Sequence, residues 1–177
     1  MIKTRKEAVN ILQHQEVLVD GKRRYSPKHL IGFMDILSLP KAKAHYRMIV
    51  NQKGLKMVTI TEAEAKSKLV KVTGKTSVAK DKIQIHTNDG RNITIPKDNY
   101  KVGDTLVIGL PKQDVQDHLK LEKGAMVLLT RGSHVGSVGK VESIEGKNIT
   151  FTSGEKYETK VAFAFVIGKD KPMIKVA

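Results

Sequence analysis

Short apolar segments separated by glycine-containing turns run through most of the chain, and this spacing limits its fold more than any other feature. The clearest pair is residues 83–87 and 92–95, which lie on either side of Asn88-Asp89-Gly90. Alternation of apolar and polar side chains is typical of half-buried strands, and a short turn with Gly joins two such strands into a hairpin. Similar segments recur every eight to twelve residues or so towards the C-terminus. The pattern predicts an α+β chain that is mostly β, with small sheets or barrels rather than long helices.

Residues 123–141 are the most informative of these segments. An apolar strand leads into a glycine-rich turn with Arg131 and His134, and a second strand with Val138 and Val141 follows. Glycine allows positive φ and a close approach of the backbone to a partner. Because no periodic helix follows the glycines, we exclude a dinucleotide-binding fingerprint, which needs a helix N-terminus at the pyrophosphate. The segment predicts a β-hairpin, and an ordinary barrel hairpin without a ligand is the alternative.

Two short helices are predicted from capping patterns. A helix over residues 4–14 opens with Thr4 and Glu7 at the T-x-x-E spacing of a capping box, and apolar residues then repeat at helical spacing. Thr61 and Glu64 have the same T-x-x-E spacing, which predicts a second helix over residues 62–68.

The remaining segments divide the chain into three modules, and the seams between them are approximate because no Pro-rich or low-complexity linker marks them. Residues 31–39 are expected to form a strand that closes the first module, over residues 1–44. A hairpin at the start of residues 45–118 opens a central β-rich module. Residues 119–177 form the third module, which ends in a basic tail.

Positive charge is spread over the whole chain. The 32 Lys and Arg residues exceed the 18 Asp and Glu residues, which gives a net charge of +14. Residues 1–50 hold 10 basic and 4 acidic side chains, residues 51–118 hold 12 and 8, and residues 119–177 hold 10 and 6. A disordered basic arm would concentrate this excess in one segment. The distribution therefore favours a folded body that binds a polyanion, with nucleic acid as the leading partner class and an acidic membrane surface as the second.

The chain lacks the patterns of common catalytic and metal sites. None of its six His residues pairs at the i, i+4 spacing of a zinc helix, and it has no Cys. Asp89, Asp98 and Asp104 lie in or beside expected turns, which Asp favours for its backbone hydrogen bonds. There is no phosphate-binding loop and no nucleophile elbow. The sequence predicts no enzyme activity, no cofactor, no metal and no small-molecule substrate.

Targeting signals are also missing from the sequence. No apolar run approaches the length of about 18 residues that a membrane span needs. The basic first residues have no long apolar segment of the kind found in signal peptides. The expected compartment is the cytoplasm, with no membrane partner.

Two parts of the chain resemble known RNA-binding modules. Arg5, Glu7 and Ala8, with the segment from Val17 to Lys22, resemble the second half of the S4 RNA-binding fold. Residues 123–141 resemble a KOW motif, the hairpin that opens an SH3-like barrel in many ribosomal and transcription factors. The resemblance implies a partial S4-like module at the N-terminus and a KOW barrel at the C-terminus.

The whole chain resembles the small-subunit ribosomal protein family S4e, of archaeal and eukaryotic type. The segments that carry this resemblance are Val19-Asp20-Gly21-Lys22 with Arg24, Gly32-Phe33-Met34-Asp35-Ile36-Leu37-Ser38-Leu39, Ile60-Thr61 with Glu64-Ala65, Lys68-Leu69 with Lys71-Val72, and the run from Phe165 to Lys169. Members of that family usually have a few dozen more basic residues before this start, including the first helix of the S4 fold. The expectation is a chain without that N-terminal segment, and the short turn at residues 146–148 favours the archaeal type.

The resemblance implies a structural constituent of the small ribosomal subunit, located on cytoplasmic ribosomes. Its partners would be folded ribosomal RNA and neighbouring small-subunit proteins. Few aromatic residues are available for stacking on unpaired bases, so contacts of cations with the RNA backbone are the expected mode. The candidate RNA-binding residues are Lys3, Arg5, Lys6, Lys22, Arg23, Arg24, Arg131, His134 and Lys140.

Two other functions stay open on the sequence. One is a KOW-containing transcription or translation factor that binds RNA and, through its barrel, a protein partner. The other is the binding half of an RNA-modifying enzyme.

Overall fold

Three antiparallel sheets and one helix make up the chain in the computed structural model, which describes residues 4–78, 82–96 and 98–176. The prediction of a mostly β chain is confirmed. The helix α1 (Arg5–His14) precedes the first sheet, and its N-cap Thr4 accepts a hydrogen bond from the backbone N–H of Glu7 at 3.2 Å. No residue of α1 is buried.

The first sheet consists of β1 (Leu18–Val19), β2 (Lys22–Arg23), β3 (Ile36–Leu39), β4 (Ala44–Asn51) and β5 (Gly54–Ile60), in the spatial order β2-β1-β3-β4-β5. The turn between β1 and β2 has positive φ at both Asp20 and Gly21, +51° and +74°, as a tight hairpin turn requires. Because β3 pairs with β4, this sheet crosses the seam that the sequence places near residue 44.

The strand expected over residues 31–39 is shorter than the sequence indicates. Regular pairing begins only at Ile36, because Met34 has a φ of +65° and the Asp35 carboxylate accepts a hydrogen bond from the Gly32 N–H at 2.6 Å. A tight turn therefore occupies the first part of this segment.

The second sheet consists of β6 (Ser67–Val78), β7 (Lys82–Thr87), β8 (Asn92–Ile95), β9 (Thr105–Gly109) and β10 (Val115–Leu119), in the order β10-β9-β6-β7-β8. The helix predicted over residues 62–68 is wrong. Thr61 and Glu64 do form the reciprocal hydrogen bonds of a capping box, at 2.8 and 3.3 Å, but only one 3₁₀ turn, Glu64–Lys66, follows. The chain then enters β6, because Leu69 and its neighbours are buried in the sheet.

The third sheet consists of β11 (Met126–Leu129), β12 (Val138–Glu145), β13 (Asn148–Ser153), β14 (Glu155–Lys160) and β15 (Ala164–Gly168), in the order β14-β13-β12-β11-β15. The segment after β15 returns to this sheet. The Met173 N–H donates a hydrogen bond to the Ile167 carbonyl at 2.8 Å, and Ile174 is buried. The expected basic tail is therefore packed against the sheet as far as this residue.

The larger apolar core joins all three sheets. Met34 just before β3, Ile49 of the first sheet, Leu69 and Val107 of the second, and Phe165 of the third belong to one buried cluster. A smaller cluster lies within the second sheet. The three sheets are thus packed onto a shared interior.

The glycine-rich turn between β11 and β12 approaches the β4–β5 hairpin closely. Gly136 has a φ of +84°, and a Cβ atom at this position would lie 2.7 Å from the Asn51 Cα. The glycine that the sequence associates with a partner thus contacts another part of the same chain.

Candidate nucleic-acid interface

Strand β2 presents two of the candidate cations at the edge of the first sheet. Lys22 and Arg23 are exposed, and they pair only with Val19 and Leu18 of β1. The Arg23 guanidinium lies 4.7 Å from the ring centroid of Tyr25, which is itself exposed. An open strand edge with two cations and an aromatic ring is a suitable surface for an RNA backbone.

The other N-terminal candidates are placed less favourably or lie elsewhere. Arg24 is half-buried, and its Nε is shielded from solvent. Arg5 and Lys6 are exposed in the first turn of α1. Lys3 lies outside the described residues.

The third sheet positions the remaining candidates in different surroundings. Arg131 is exposed in the glycine-rich turn, whereas the His134 ring packs on Tyr157 at a centroid distance of 4.2 Å. Lys140 is exposed on β12 and forms an ion pair with Asp170 at 3.1 Å. Of these three, only Arg131 has no side-chain partner within the described residues. Their assignment as RNA contacts stays a prediction.

A buried cluster of charges joins the first and second sheets. The Lys68 ammonium, 1% exposed on β6, lies 2.7 Å from Asp20, 2.6 Å from Asp35 and 3.0 Å from Asp89. Arg91 closes the cluster, with its Nε 3.0 Å from Asp89 and its Nη2 hydrogen-bonded to Asp20. These five residues are called the Lys68 cluster below.

Backbone groups supply further hydrogen bonds to two carboxylates of the Lys68 cluster. The second oxygen of Asp20 accepts from the Ile36 N–H at 2.9 Å, and that of Asp35 accepts from the Gly32 N–H. A buried ion pair is tolerated only when such hydrogen bonds satisfy its remaining oxygens. The cluster therefore fixes the β1–β2 turn and the segment before β3 against the second sheet.

The environment of the Lys68 cluster stabilises its charged forms. Burial alone lowers the pKa of Lys68, but the neighbouring carboxylates, with Asp20 first, outweigh it and raise the pKa above the usual value. Burial alone raises the pKa of Asp89, but the Thr87 hydroxyl and the Lys68 and Arg91 charges lower it. All charges of the cluster have a partner, so it is a structural element rather than an acid–base site.

Sequence reasoning missed this cluster. The sequence accounts for Asp89 by its turn alone, and Lys68 lies 48 residues from Asp20 along the chain. The available signal was that Asp20, Asp35 and Lys68 all belong to the segments that carry the family resemblance.

Two further cations, one buried and one half-buried, connect the sheets through backbone carbonyls. Arg47 of β4 is 1% exposed and donates from Nη2 to the Glu64 and Ser67 carbonyls, at 2.9 and 3.1 Å. Lys71 of β6 donates to three carbonyls at the start of β15 and just before it, at 2.6 to 3.2 Å. Each cation ties an element of one sheet to the segment that leads into another.

The pH dependence of Lys71 can be measured directly. Burial lowers the pKa of its ammonium to about 8. The folded chain thus releases this proton near pH 8. The unfolded chain releases it only near pH 10.4 or so, the usual value for Lys. The contribution of Lys71 to the unfolding free energy is therefore expected to rise with pH between these two values. Competitive acylation should show half-maximal reactivity of the Lys71 amine near pH 8, and a profile that coincides with that of N-acetyl-lysine amide would contradict this.

Two other kinds of site are absent from the described residues. Among residues 4–78, 82–96 and 98–176, no group of three or more His, Asp or Glu side chains is arranged to hold a metal ion. No helix in the described part of the chain is long and apolar enough to cross a membrane.

Comparison with known sequences gives consistent matches along the chain. A sequence model described as "Ribosomal family S4e" matches residues 42–115. The small ribosomal subunit protein eS4 of Korarchaeum cryptofilum is 39% identical, over 98% of this chain and 75% of its own length. The protein of the same name from Methanosphaera stadtmanae is 38% identical, over 97% of this chain and 74% of its own.

Comparison with solved structures gives the same result. The crystal structure of the 30S ribosomal protein S4e from Thermoplasma acidophilum superimposes with a TM-score of 0.81 at 32% identity. The match covers 93% of this chain and 86% of the other. The arrangement of the helix and the three sheets is thus shared with that protein.

Proposed function

The chain belongs to the ribosomal protein family S4e, and we propose that it is a structural constituent of the small ribosomal subunit that binds folded ribosomal RNA through contacts of Lys and Arg with phosphate. The observation that carries this proposal is the similarity to eS4 proteins over nearly the whole chain. The net charge of +14 supports it, because an RNA backbone is held chiefly by cations.

The proposed RNA-binding surface has two parts. The first is the open edge of the first sheet, with Lys22, Arg23 and the neighbouring Arg24, together with the start of α1. The second is the β11–β12 hairpin with Arg131, His134 and Lys140. Phosphate neutralisation and positioning in a groove are the roles proposed for these side chains, with no catalytic step.

The proposed modules correspond to the three sheets with one adjustment. The order β14-β13-β12-β11-β15 and the glycine-rich turn support a KOW-type, SH3-like barrel from residue 119 onwards. The helix α1 and the β1–β2 hairpin support a partial S4-like module. Because β4 and β5 complete the first sheet, the seam between the first and second modules is better placed after Ile60 than at residue 44.

The proposed partners are ribosomal RNA and adjacent small-subunit proteins, on ribosomes in the cytoplasm. Relatives named as small ribosomal subunit proteins support this. Since the family is structural, no enzymatic role is proposed.

Binding to archaeal small-subunit ribosomal RNA tests the proposal. The purified chain is titrated with this RNA and with a DNA duplex of equal charge at several salt concentrations. The expected result is tighter binding of the ribosomal RNA and a linear fall of log affinity with log salt, with a slope of roughly −0.9 for each phosphate contacted. Equal affinity for the DNA duplex, or no binding to the RNA in dilute buffer, would contradict the proposal.

A further inference from the structure

A cavity of about 710 Å³ lies between the three sheets, and of the RNA-binding residues proposed above only Arg131 lines it. Leu55 of the first sheet, Val72 of the second and Phe165 of the third all line it. Cavities of a few hundred to about 1,000 Å³ are typical of sites for small organic ligands. The volume is therefore sufficient for a single nucleotide.

One wall of the cavity is apolar and aromatic. Phe33 meets Phe165 edge to face at a centroid distance of 5.0 Å, and both rings line the cavity. Leu55 and Val102, at the rim, are 52% and 58% exposed, which is unusual for such large apolar side chains. A ligand with a flat apolar part would cover this surface.

The other wall is cationic. Lys71, Arg131, Lys147 and Lys160 line the cavity, and none of its lining residues is acidic, although the chain contains 18 Asp and Glu. The side chains of Arg131, Lys147 and Lys160 are exposed and make no hydrogen bond or ion pair to any described residue. Three unpaired cations beside an apolar wall are complementary to a ligand that carries both an anion and an apolar ring.

We propose that this cavity between the three sheets binds one unpaired nucleotide of RNA, with its base against the Phe33 and Val102 wall and its phosphate at Lys147, Lys160 and Arg131. The inference rests on the proposed function and adds a second mode to it, because the roles proposed above are contacts with phosphate and placement in a groove. Stacking of a base on an apolar or aromatic surface is how proteins hold single-stranded RNA. Asn88 and Thr130, which also line the cavity, supply polar groups for the edge of the base.

A nucleotide fits these observations better than an acidic peptide segment does. In a nucleotide the apolar ring and the phosphate are parts of one compact unit, as are the apolar wall and the cations of the cavity. A peptide would need an acidic and an apolar side chain at matching spacing, and it would compete with RNA for a strongly basic protein.

A single-stranded ten-nucleotide RNA with one central 2-aminopurine tests the proposal on the full chain. The wild-type chain is expected to bind this strand and to change the fluorescence of the 2-aminopurine. Val102→Glu introduces a negative charge at the rim, which repels the phosphate. Lys147→Glu reverses the charge of a side chain proposed to bind the phosphate. Each is expected to weaken binding of the single strand roughly tenfold and to remove the fluorescence change.

Two matched controls carry the same chemical changes outside the cavity. Val78→Glu alters an apolar side chain that is 43% exposed, and Lys41→Glu reverses an exposed Lys in a 3₁₀ turn. Both are expected to leave binding of the single strand within about twofold of wild type. Thermal melting of all four variants shows whether each is folded.

The possible outcomes separate this proposal from the proposed function. If the folded cavity variants bind the single strand as the controls do, while the wild type still binds ribosomal RNA, the cavity proposal is overturned and the ribosomal function is retained. If the wild type binds neither RNA, both are overturned. An acidic peptide that contains a Leu is tested in the same way. If the wild type binds this peptide, Val102→Glu abolishes that binding and the single strand does not bind, the cavity is a protein-docking site and the proposal is wrong.

Discussion

Replacing Lys68 with Met is expected to lower the free energy of unfolding by about 3–5 kcal/mol, the range measured when one partner of a buried ion pair is removed. The substitution leaves Asp20 and Asp89, which are almost fully shielded from solvent, and the half-buried Asp35 with a single cation, Arg91. The remaining carboxylates then repel one another in a region with little solvent. Urea denaturation of the full chain measures the loss.

The control for this substitution lies two residues away. Lys66 pairs with Glu62 at 3.7 Å, but both side chains are about three-quarters exposed, at 73% and 76%. Lys66→Met should therefore change the unfolding free energy by about 0.5 kcal/mol or less. Equal effects of the two substitutions would show that the Lys68 cluster does not stabilise the fold.

The pH dependence of the same measurement follows from the pKa shifts. Because the pKa of Asp89 is lowered, its contribution to the unfolding free energy is fully present above the usual Asp pKa, near pH 4 or so. This contribution is lost as the pH falls through the lower pKa that Asp89 has in the folded chain. Because the pKa of Lys68 is raised, its contribution is lost only above pH 10 or so. The difference between wild type and Lys68→Met should thus be constant at neutral pH and shrink in strong acid.

The double reversal Lys22→Glu with Arg23→Glu is expected to weaken binding to small-subunit ribosomal RNA roughly a hundredfold, since two cations at phosphates become two anions. The salt dependence should also become shallower, by about two in the slope of log affinity against log salt. The fold should be unaffected, because both side chains are exposed on an edge strand. Filter binding at several salt concentrations and thermal melting measure the two effects.

A second double reversal supplies the comparison. Lys41→Glu with Lys43→Glu makes the same change of charge at exposed positions in and just after the 3₁₀ turn Pro40–Ala42, outside both proposed surfaces and the cavity. It tests whether net charge alone controls affinity. If both double variants lose the same affinity, β2 is no specific part of the interface.

The parts of the fold that the sequence predicted correctly are those with a local signal. The cap at Thr4 and the hairpin over residues 83–95 each depend on residues close together in the chain. The two wrong extents have different causes. Residues 31–35 contain apolar side chains suited to a strand, but a local hydrogen bond between Gly32 and Asp35 holds them in a turn. Residues 62–68 contain side chains suited to a helix, but Ser67 and Lys68 pair with β9 in the second sheet.

Features assembled from distant segments could not be predicted. The Lys68 cluster takes its residues from three separate turns and one strand, and the cavity is lined by all three sheets. The charge pattern indicated a polyanion partner without showing which cations are exposed. The structure separates Lys68 and Arg47, which are buried, from Lys22 and Arg23, which face solvent.

The β1–β2 turn has a consequence for how tightly RNA can be held. Asp20, at the start of this turn, is fixed by Lys68 and Arg91, and the strand that carries Lys22 and Arg23 begins two residues later. The basic strand is thus preorganised by the ion network that fixes the turn preceding it. Less conformational entropy is then lost when it meets a phosphate backbone, so damage to the interior would reduce affinity even in molecules that remain folded.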